Sequence, residues 1–474
     1  MKALSNEYAP SGRYIILAAI MLGGIMGPID ASIVNVTLPT IAQYFGVGLS
    51  AAQWVPTIYL LIISSLLLFY GRLGDLFGYK KIYLAGLAGF TVASALCGLA
   101  YFLPGIGWLV GFRAVQGLMA GMMMAVPYAM ITATFPPTER GKALGINAIG
   151  ISAGLAIGPS LGGLINSAFS WPFVFVINIP IGIACFFWAR TILPEFKAQR
   201  GKIDFGGAVV SFIALSSFLL FVNDAQHSGL NKGNAVLLMV AAAAAFAFLR
   251  IEKKADPPML NLGIFRNAAF SFANISSLLN FMSQYILVFL TPFFLQRLLH
   301  NTPRQVGLTM TAFPLAIMAV APFSGSLSDR IGTRALACLG ATVGATGLFL
   351  MSRLPYPAST ADVVWRLAIF GLGTGIFQSP NNSRAMGSAP KSQLGVASGI
   401  LATTRNVGMV FGIATAGAVL YALVSPAILR ASSLVGEDAA RFFFGLRRAY
   451  LAGAVLAAMA AVTSLLKPEK RGQI

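Results

Sequence analysis

Polar and apolar positions along this chain alternate in long blocks. Stretches almost free of charge are separated by short segments rich in Arg, Lys, Gly and Pro. A hydrocarbon layer about 30 Å thick is crossed by roughly 20 residues of helix. Fourteen blocks meet that length to within the reach of tilt, at roughly 14–36, 53–70, 82–102, 108–135, 143–165, 173–193, 205–222, 235–249, 270–295, 306–327, 336–351, 363–379, 395–423 and 446–466. The pattern predicts an all-α polytopic membrane protein with fourteen transmembrane helices. The first block is long and lacks a small-residue cleavage site, so it is read as a span rather than as a cleaved signal.

Composition sharpens this picture. Hydrophobic residues make up 57% and charged residues only 10%, with a mean hydropathy of +0.78, against roughly 25% charged in ordinary soluble domains. The net charge of +19 is topological: 23 of the 33 Lys and Arg residues fall on one side of the fourteen blocks, nine on the other, and Arg113 lies within span 4. The positive-inside rule then puts both termini in the cytoplasm. Basic residues spread over short loops facing anionic lipid headgroups do not form the basic face a nucleic acid requires. Cys97, Cys185 and Cys338 all lie inside spans, so no disulfide framework is expected. No GxxxxGK[ST] sequence occurs, which leaves an ion gradient rather than ATP or a cofactor as the expected energy source.

An internal repeat is written in the glycines. The segment GRLGDLFGYKK after span 2 and GSLSDRIGTR after span 10 align with Gly71 on Gly325, Asp75 on Asp329 and Gly78 on Gly332, always 254 positions apart. The same offset joins Gly117 to Gly371, Gly121 to Gly375, Gly145 to Gly399, Gly154 to Gly408 and Gly158 to Gly412. Two parallel six-span halves follow, 1–200 and 256–474, with an inserted helix pair at 201–255. Helix packing alone accounts for many such glycines. The Gly/Asp/Gly loop supports a further role as a conformational latch, through charge pairs and helix-end interactions; its members are Gly71, Arg72, Gly74, Asp75, Gly78, Lys80, Lys81 and Asp329. The second loop carries Ser328 in place of Gly74 and lacks the twin lysines, which leaves its latching role open.

Asp30 and Arg113 are the charged residues expected at depth, and intramembrane ionisable groups are functional by default. Desolvation favours the protonated form of a carboxyl and a nearby guanidinium the ionised form. The distance between the two therefore decides the proton chemistry. The alternatives are that Asp30 caps a helix break at Gly27–Pro28 and that Arg113 only ties down backbone carbonyls. Polar and aromatic candidates for a substrate cavity are Tyr59, Gln116, Asn147, Asn178, Gln284, Tyr285, Gln378, Asn381, Asn382 and Arg405. The methionines of GMMMAVP (121–127) read either as an adaptable wall or as helix packing. His227 and His300 fall in outer loops and are not relay candidates. No cluster of His, Cys or carboxylates at depth suggests a metal or an intramembrane enzyme.

These segments together resemble the fourteen-span drug:proton antiporters of the major facilitator superfamily, the EmrB/QacA-like multidrug exporters, over nearly the full length. The matching pieces include IDASIVNVTLP in span 1, GRLGDLFGYKK after span 2, FRAVQGLMAG in span 4, FPPTERGKALG before span 5, WPFVFVINIPIG at span 6, KIDFGGAVV at span 7 and LGVASGILATTRNVGMVFGIA in span 13. Gly154, Gly158, Pro159, Gly162 and Gly163 in span 5 are similar to the antiporter motif of exporters in that group, which the resemblance ties to alternating access. Proline removes one helix hydrogen bond and glycines flatten a face, so a plain packing kink is the other reading.

The resemblance implies proton-coupled export of amphipathic, cationic drugs across the inner membrane, with Asp30 and Arg113 coupling protons and no cofactor beyond the proton gradient. An exporter of an anionic or lipid-like metabolite or siderophore, with Arg113 or Arg405 on the anion, is the alternative. Expected partners are small molecules, protons and the bilayer, with a periplasmic adaptor and outer-membrane channel where an outer membrane exists.

Overall fold

The computed structural model describes residues 10–47, 49–196, 204–228, 232–255, 258, 260–425, 428, 434 and 436–466. Among them, fourteen helices are long and apolar enough to cross a membrane, in the order the blocks predict. Spans 1 to 7 are Gly12–Asn35, Trp54–Phe77, Tyr79–Phe102, Ile106–Thr134, Pro137–Ala168, Phe173–Ile192 and Phe205–Val222. Spans 8 to 14 are Lys232–Lys254, Ala268–Arg297, Arg304–Ile331, Thr333–Ser352, Thr360–Ser388, Lys391–Leu423 and Gly436–Leu465.

Several helices overrun the apolar blocks that announce them. Span 5 starts at Pro137, six residues before its apolar block, because Pro fits the first turn and Glu139 in that turn complements the helix dipole. Span 1 belongs to a helix running unbroken over Pro10–Phe45, through Pro28 and Pro39. The helix break at Gly27–Pro28 considered above is therefore absent, and Asp30 caps nothing. Span 4 is interrupted at Val126, just before Pro127, whose ring removes a donor. Gly78 and Gly332 sit between consecutive helices with φ of +94° and +99°, a region costly for residues with a Cβ.

The chain gathers into two compact units. Unit 1 comprises Met1–Pro136, Gly150–Arg266 and Ala389–Thr403; unit 2 comprises Pro137–Ile149, Asn267–Ser388 and Thr404–Ile474. Unit 1 contains one core of Ile33, Val34, Val55, Leu109, Trp171 and Phe175 with their neighbours. Unit 2 is built around Phe294, Phe313, Leu367, Phe370, Leu446 and Tyr450. The inserted spans 7 and 8 fall in unit 1, where Ser216 Oγ of span 7 donates to Ser65 Oγ of span 2 at 3.0 Å. Span 8 leaves Val236, Met239 and Phe246 exposed, as a helix facing lipid would.

Candidate functional site

Unit 1 assembles a charged network from spans that lie far apart in sequence. Asp30 of span 1 and Arg113 of span 4 form an ion pair, with Nη1 2.5 Å from Oδ2 and both side chains fully withdrawn from solvent. The same Nη1 donates to Gln116 Oε1 at 2.6 Å, and Arg113 Nε donates to the Val55 carbonyl at 3.2 Å. Asp30 Oδ1 accepts from Gln116 Nε2 and from Asn178 Nδ2, each at 3.2 Å. Gln116 Nε2 reaches Ser94 Oγ at 2.8 Å. The Tyr59 ring lies 4.0 Å from the guanidinium carbon and the Phe175 ring 5.6 Å away, so cation–π attraction adds to the ion pair. Burying two charges costs several kcal/mol per ion unless the remaining lone pairs and protons are satisfied; here both carboxylate oxygens are. Arg113 Nη2 and Tyr59 Oη are left without partners.

Four sequence candidates therefore converge on Asp30: Arg113, Gln116, Asn178 and Tyr59. Sequence reading missed Ser94, Phe175 and the Val55 carbonyl. A serine, a phenylalanine and a main-chain oxygen inside apolar runs carry no signal of their own. Asn147 is buried and falls in unit 2, whereas the network belongs to unit 1. Cys97 donates weakly to Gln116 Oε1 at 3.6 Å and is a buried neighbour, not a ligand. Met123 is fully buried, Met122 lies against Gly86 and Met124 against Gly27, so these methionines pack helices.

The repeat is chemically asymmetric. Gly117 packs on the Tyr59 backbone and Gly371 on that of Phe313, confirming the 254 offset in these helices. Under it, Tyr59, Arg113 and Gln116 correspond to Phe313, Leu367 and Phe370. Those three residues belong to the apolar core of unit 2, with the Phe313 and Phe370 rings stacked at 5.6 Å. Among the described residues, the fully buried ion pair lies in the first half.

In both units an aspartate is clamped near a helix start. Asp75 accepts from the backbone N–H groups of Gly395 and Val396 at 2.8 and 3.0 Å, and from Tyr79 Oη at 2.7 Å. Asp329 accepts from Gly141 and Lys142 at the same two distances. The two aspartates and their backbone donors are related by 254 positions, so the main-chain clamps are copies; Tyr79 has no counterpart, since Thr333 stands in its place. Gly395 and Val396 are the second and third residues of the helix Leu394–Leu423, where N–H groups are left free. Gly141 and Lys142 are the fifth and sixth of Pro137–Ala168, near rather than at its start. The helix dipole favours a carboxylate at a helix start. Gly71 against Gly395 and Gly141 against Gly325 bring the backbones so close that a Cβ on any of the four would collide with a carbonyl oxygen. Gly74 is filled against Val126 and Tyr79, and Lys80 pairs with Glu195 at 3.4 Å. Lys81 is exposed and Arg72 half-buried. Gly141 and Gly395 were absent from the sequence reading, although their spacing by the repeat offset would have revealed them.

Span 5 presents Gly154, Gly158 and Gly162 to span 1. A Cβ at 154 would lie 3.1 Å from Pro28 Cβ, one at 158 would overlap Ser32 Oγ, and one at 162 would lie 3.1 Å from the Ile33 carbonyl. Gly163 faces open space. Pro159 is within the helix, but its side chain lies outside the described residues. Close approach of span 5 to span 1 therefore rests on three of the four motif glycines.

The remaining cavity candidates lie in unit 2. Gln284 and Asn381 are buried and each has its amide oxygen without a partner; Asn381 Nδ2 donates to the Ala273 carbonyl at 3.0 Å. Tyr285, Gln378, Asn382 and Arg405 are half-buried.

Comparison with known proteins matches this architecture. A profile described as Major Facilitator Superfamily fits residues 20–413 and 273–473. The riboflavin transporter RibZ of Clostridioides difficile is 34% identical over 406 residues, 85% of this chain and 87% of that protein. The multidrug resistance protein Stp of Mycobacterium tuberculosis is 32% identical over 416 residues, 87% of this chain and 77% of that one. Among solved structures, the human organic anion transporter MFSD10 superposes with a TM-score of 0.67 at 13% identity, covering 96% of this chain and all of that one; it speaks to the fold alone. With fourteen membrane-length helices, a parallel internal repeat and relatives that carry small molecules, including multidrug efflux proteins, the chain is a member of the Major Facilitator Superfamily and a membrane transporter of small molecules.

Proposed function

We propose that this transporter is a proton-coupled exporter of amphipathic compounds, and that Asp30 and Arg113 are its proton-coupling pair. The observation that carries the reading is the fully buried ion pair of the first half, caged by Gln116, Asn178 and Ser94. When ionised, Asp30 holds span 1 to span 4 through Arg113 and to span 6 through Asn178. A proton on Asp30 removes the charge that Arg113 is paired with and leaves the guanidinium only neutral partners. The attraction joining these spans falls with it. Release follows in reverse, as Arg113 re-engages the carboxylate and expels the proton. Arg113 thus acts as the competitor that makes proton uptake reversible.

Alternating access then requires the rest of the chain to respond. The clamps of Asp75 and Asp329 near helix starts are the elements we assign as latches, each with two charge-assisted hydrogen bonds to break. The positive-inside count supports cytoplasmic termini in a plasma or inner membrane. Multidrug and riboflavin transporters among the relatives support a cargo that is amphipathic and partly aromatic. A second reading, export of an anionic compound, is favoured by Arg405, which has no acidic partner in the described structure.

The test is transport in proteoliposomes with an imposed pH gradient, comparing the wild type with Asp30→Asn. Gradient-driven uptake into inverted vesicles is expected to fall at least about tenfold, while passive exchange of cargo with no gradient persists. Undiminished gradient-driven transport in the variant would remove Asp30 from the mechanism.

A further inference from the structure

In unit 2, the helix ends opposite the Asp329 clamp are ringed by arginines. Span 11, Thr333–Ser352, has 20 residues, about 30 Å of helix, which matches the hydrocarbon layer. Its last turn therefore lies at headgroup depth. Two carbonyls of that turn are capped from neighbouring helices. Arg366 Nε of span 12 donates to the Leu350 carbonyl at 3.1 Å, and Arg447 Nε of span 14 donates to the Ser352 carbonyl at 2.6 Å. The negative end of the helix dipole favours cations here. One turn further in, a Cβ on Gly453 of span 14 would lie 3.3 Å from Leu348 Cδ1 of span 11, so the two helices are held close at this level.

Capping accounts for Arg366 and for Nε of Arg447, but not for the rest. The side chains of Arg353, next after Ser352, and of Arg448 are exposed and make no hydrogen bond or ion pair among the described residues. Each of the three guanidinium carbons lies over a ring, Arg353 at 5.2 Å from Phe349, Arg447 at 5.9 Å from Phe443 and Arg448 at 4.9 Å from Phe444. The Phe443 ring is 5.0 Å from that of Tyr356, in the loop after Arg353. Phe349, Tyr356 and Phe444 are exposed, as the rings of an interfacial aromatic belt are. The acids of this end are engaged or distant. Asp362 pairs with Arg366 and Glu437 with Arg441, and Asp438, in the first turn of its helix, is about 15 Å along the axis from Arg448. Of the nine basic residues counted on this side, eight are arginine, although the positive-inside rule disfavours basic residues there.

We propose that Arg353, Arg447 and Arg448 form a site for the phosphate of an anionic phospholipid headgroup, with Phe349, Phe444 and Tyr356 beside its glycerol and upper acyl chains. Stacking on rings steadies each guanidinium while its in-plane N–H donors stay free. Arg447 gives only Nε to the protein, and the planar fork of an arginine suits phosphate oxygens better than a lysine ammonium does. Headgroup depth and uncompensated positive charge select a lipid as the occupant, because basic clusters beside a membrane surface attract its anionic lipids. Simple snorkelling of long side chains toward water would instead leave lipid headgroups undistinguished. The inference lies beyond the transport reading and does not depend on Asp30.

Native mass spectrometry of the full-length protein, released from nanodiscs of equal parts phosphatidylcholine and phosphatidylglycerol, reads the retained lipids. The wild type is expected to retain phosphatidylglycerol preferentially. Arg353→Gln with Arg448→Gln, two side chains that bond to no described protein group, is expected to lower that preference at least about fivefold, the worth of one basic residue near an anionic surface. Arg441→Gln, whose arginine is paired with Glu437, is expected to leave it unchanged. The melting temperature in phosphatidylcholine alone is expected to be equal for wild type and double variant, which separates lost lipid from lost fold. A wild type without preference, a preference that survives the double substitution, or an equal loss with Arg441→Gln overturns the proposal. Because neither cargo nor a pH gradient is present, failure of the Asp30 reading leaves this outcome untouched.

Discussion

At the scale of single residues, the balance between an ion pair and its desolvation governs the reading. Removing one partner of a buried pair leaves the other charge uncompensated and destabilises by about 3–5 kcal/mol, whereas replacing both with apolar groups of similar volume is often neutral. Asp30→Asn alone is therefore expected to lower the melting temperature in detergent as well as to abolish pH-driven transport. The double variant Asp30→Leu with Arg113→Met is expected to recover the thermal stability while remaining uncoupled. Thermal unfolding read beside proteoliposome flux checks both halves of the prediction; a double variant that transports in response to pH would show the pair to be structural. Asp30 and Arg113 were visible as charges in apolar runs. Their contact was not, because 83 positions separate them and only folding brings Nη1 to Oδ2.

At the scale of helices, the span 5 glycines differ in what surrounds them. An added methyl group in a filled contact costs about 1–3 kcal/mol through strain and helix displacement. Gly158→Ala, meeting Ser32, is expected to reduce folded yield or transport at least severalfold, while Gly163→Ala, facing open space, is expected to leave both unchanged. Yield after solubilisation and initial transport rate distinguish the two. Equal damage at both positions would mean that the motif acts through backbone flexibility rather than through contact with span 1. The sequence placed all four glycines on span 5 correctly. It did not tell which of them touch a neighbour, since helical spacing fixes a face only relative to a partner not yet known.

For the whole molecule, the two clamps are the repeat made visible. Asp75 and Asp329 use donors displaced by the same offset, so Asp75→Asn and Asp329→Asn are expected to act alike. Each trades charge-assisted bonds, about 1.5–3 kcal/mol net for hydrogen bonds to charged groups, for weaker or mismatched ones. Spin labels placed on either side of each clamp, read by pulsed distance measurements in nanodiscs, are expected to show a shifted conformational population in each single variant. The double variant is expected to shift further. If Asp329→Asn changes nothing while Asp75→Asn does, the second loop is a structural relic of duplication. The doubt raised by Ser328 and the missing lysines does not bear on the clamp, since its bonds are made by the aspartate and backbone N–H groups alone.

Hydropathy blocks, the basic-residue asymmetry and the glycine register determined from sequence that this chain crosses a membrane fourteen times and contains a parallel repeat. Those properties depend on local cost: each run must satisfy its own backbone in lipid, and each helix–helix crossing needs small residues. Tertiary structure alone decided that Asp30 is paired rather than capping. It also decided that, among the described residues, the fully buried ion pair lies in the first half, while Arg384 of the second half is buried against main-chain carbonyls. Whether a charge is costly or compensated depends on what is packed within a few ångströms of it, and residues scattered over four or five helices supply those neighbours.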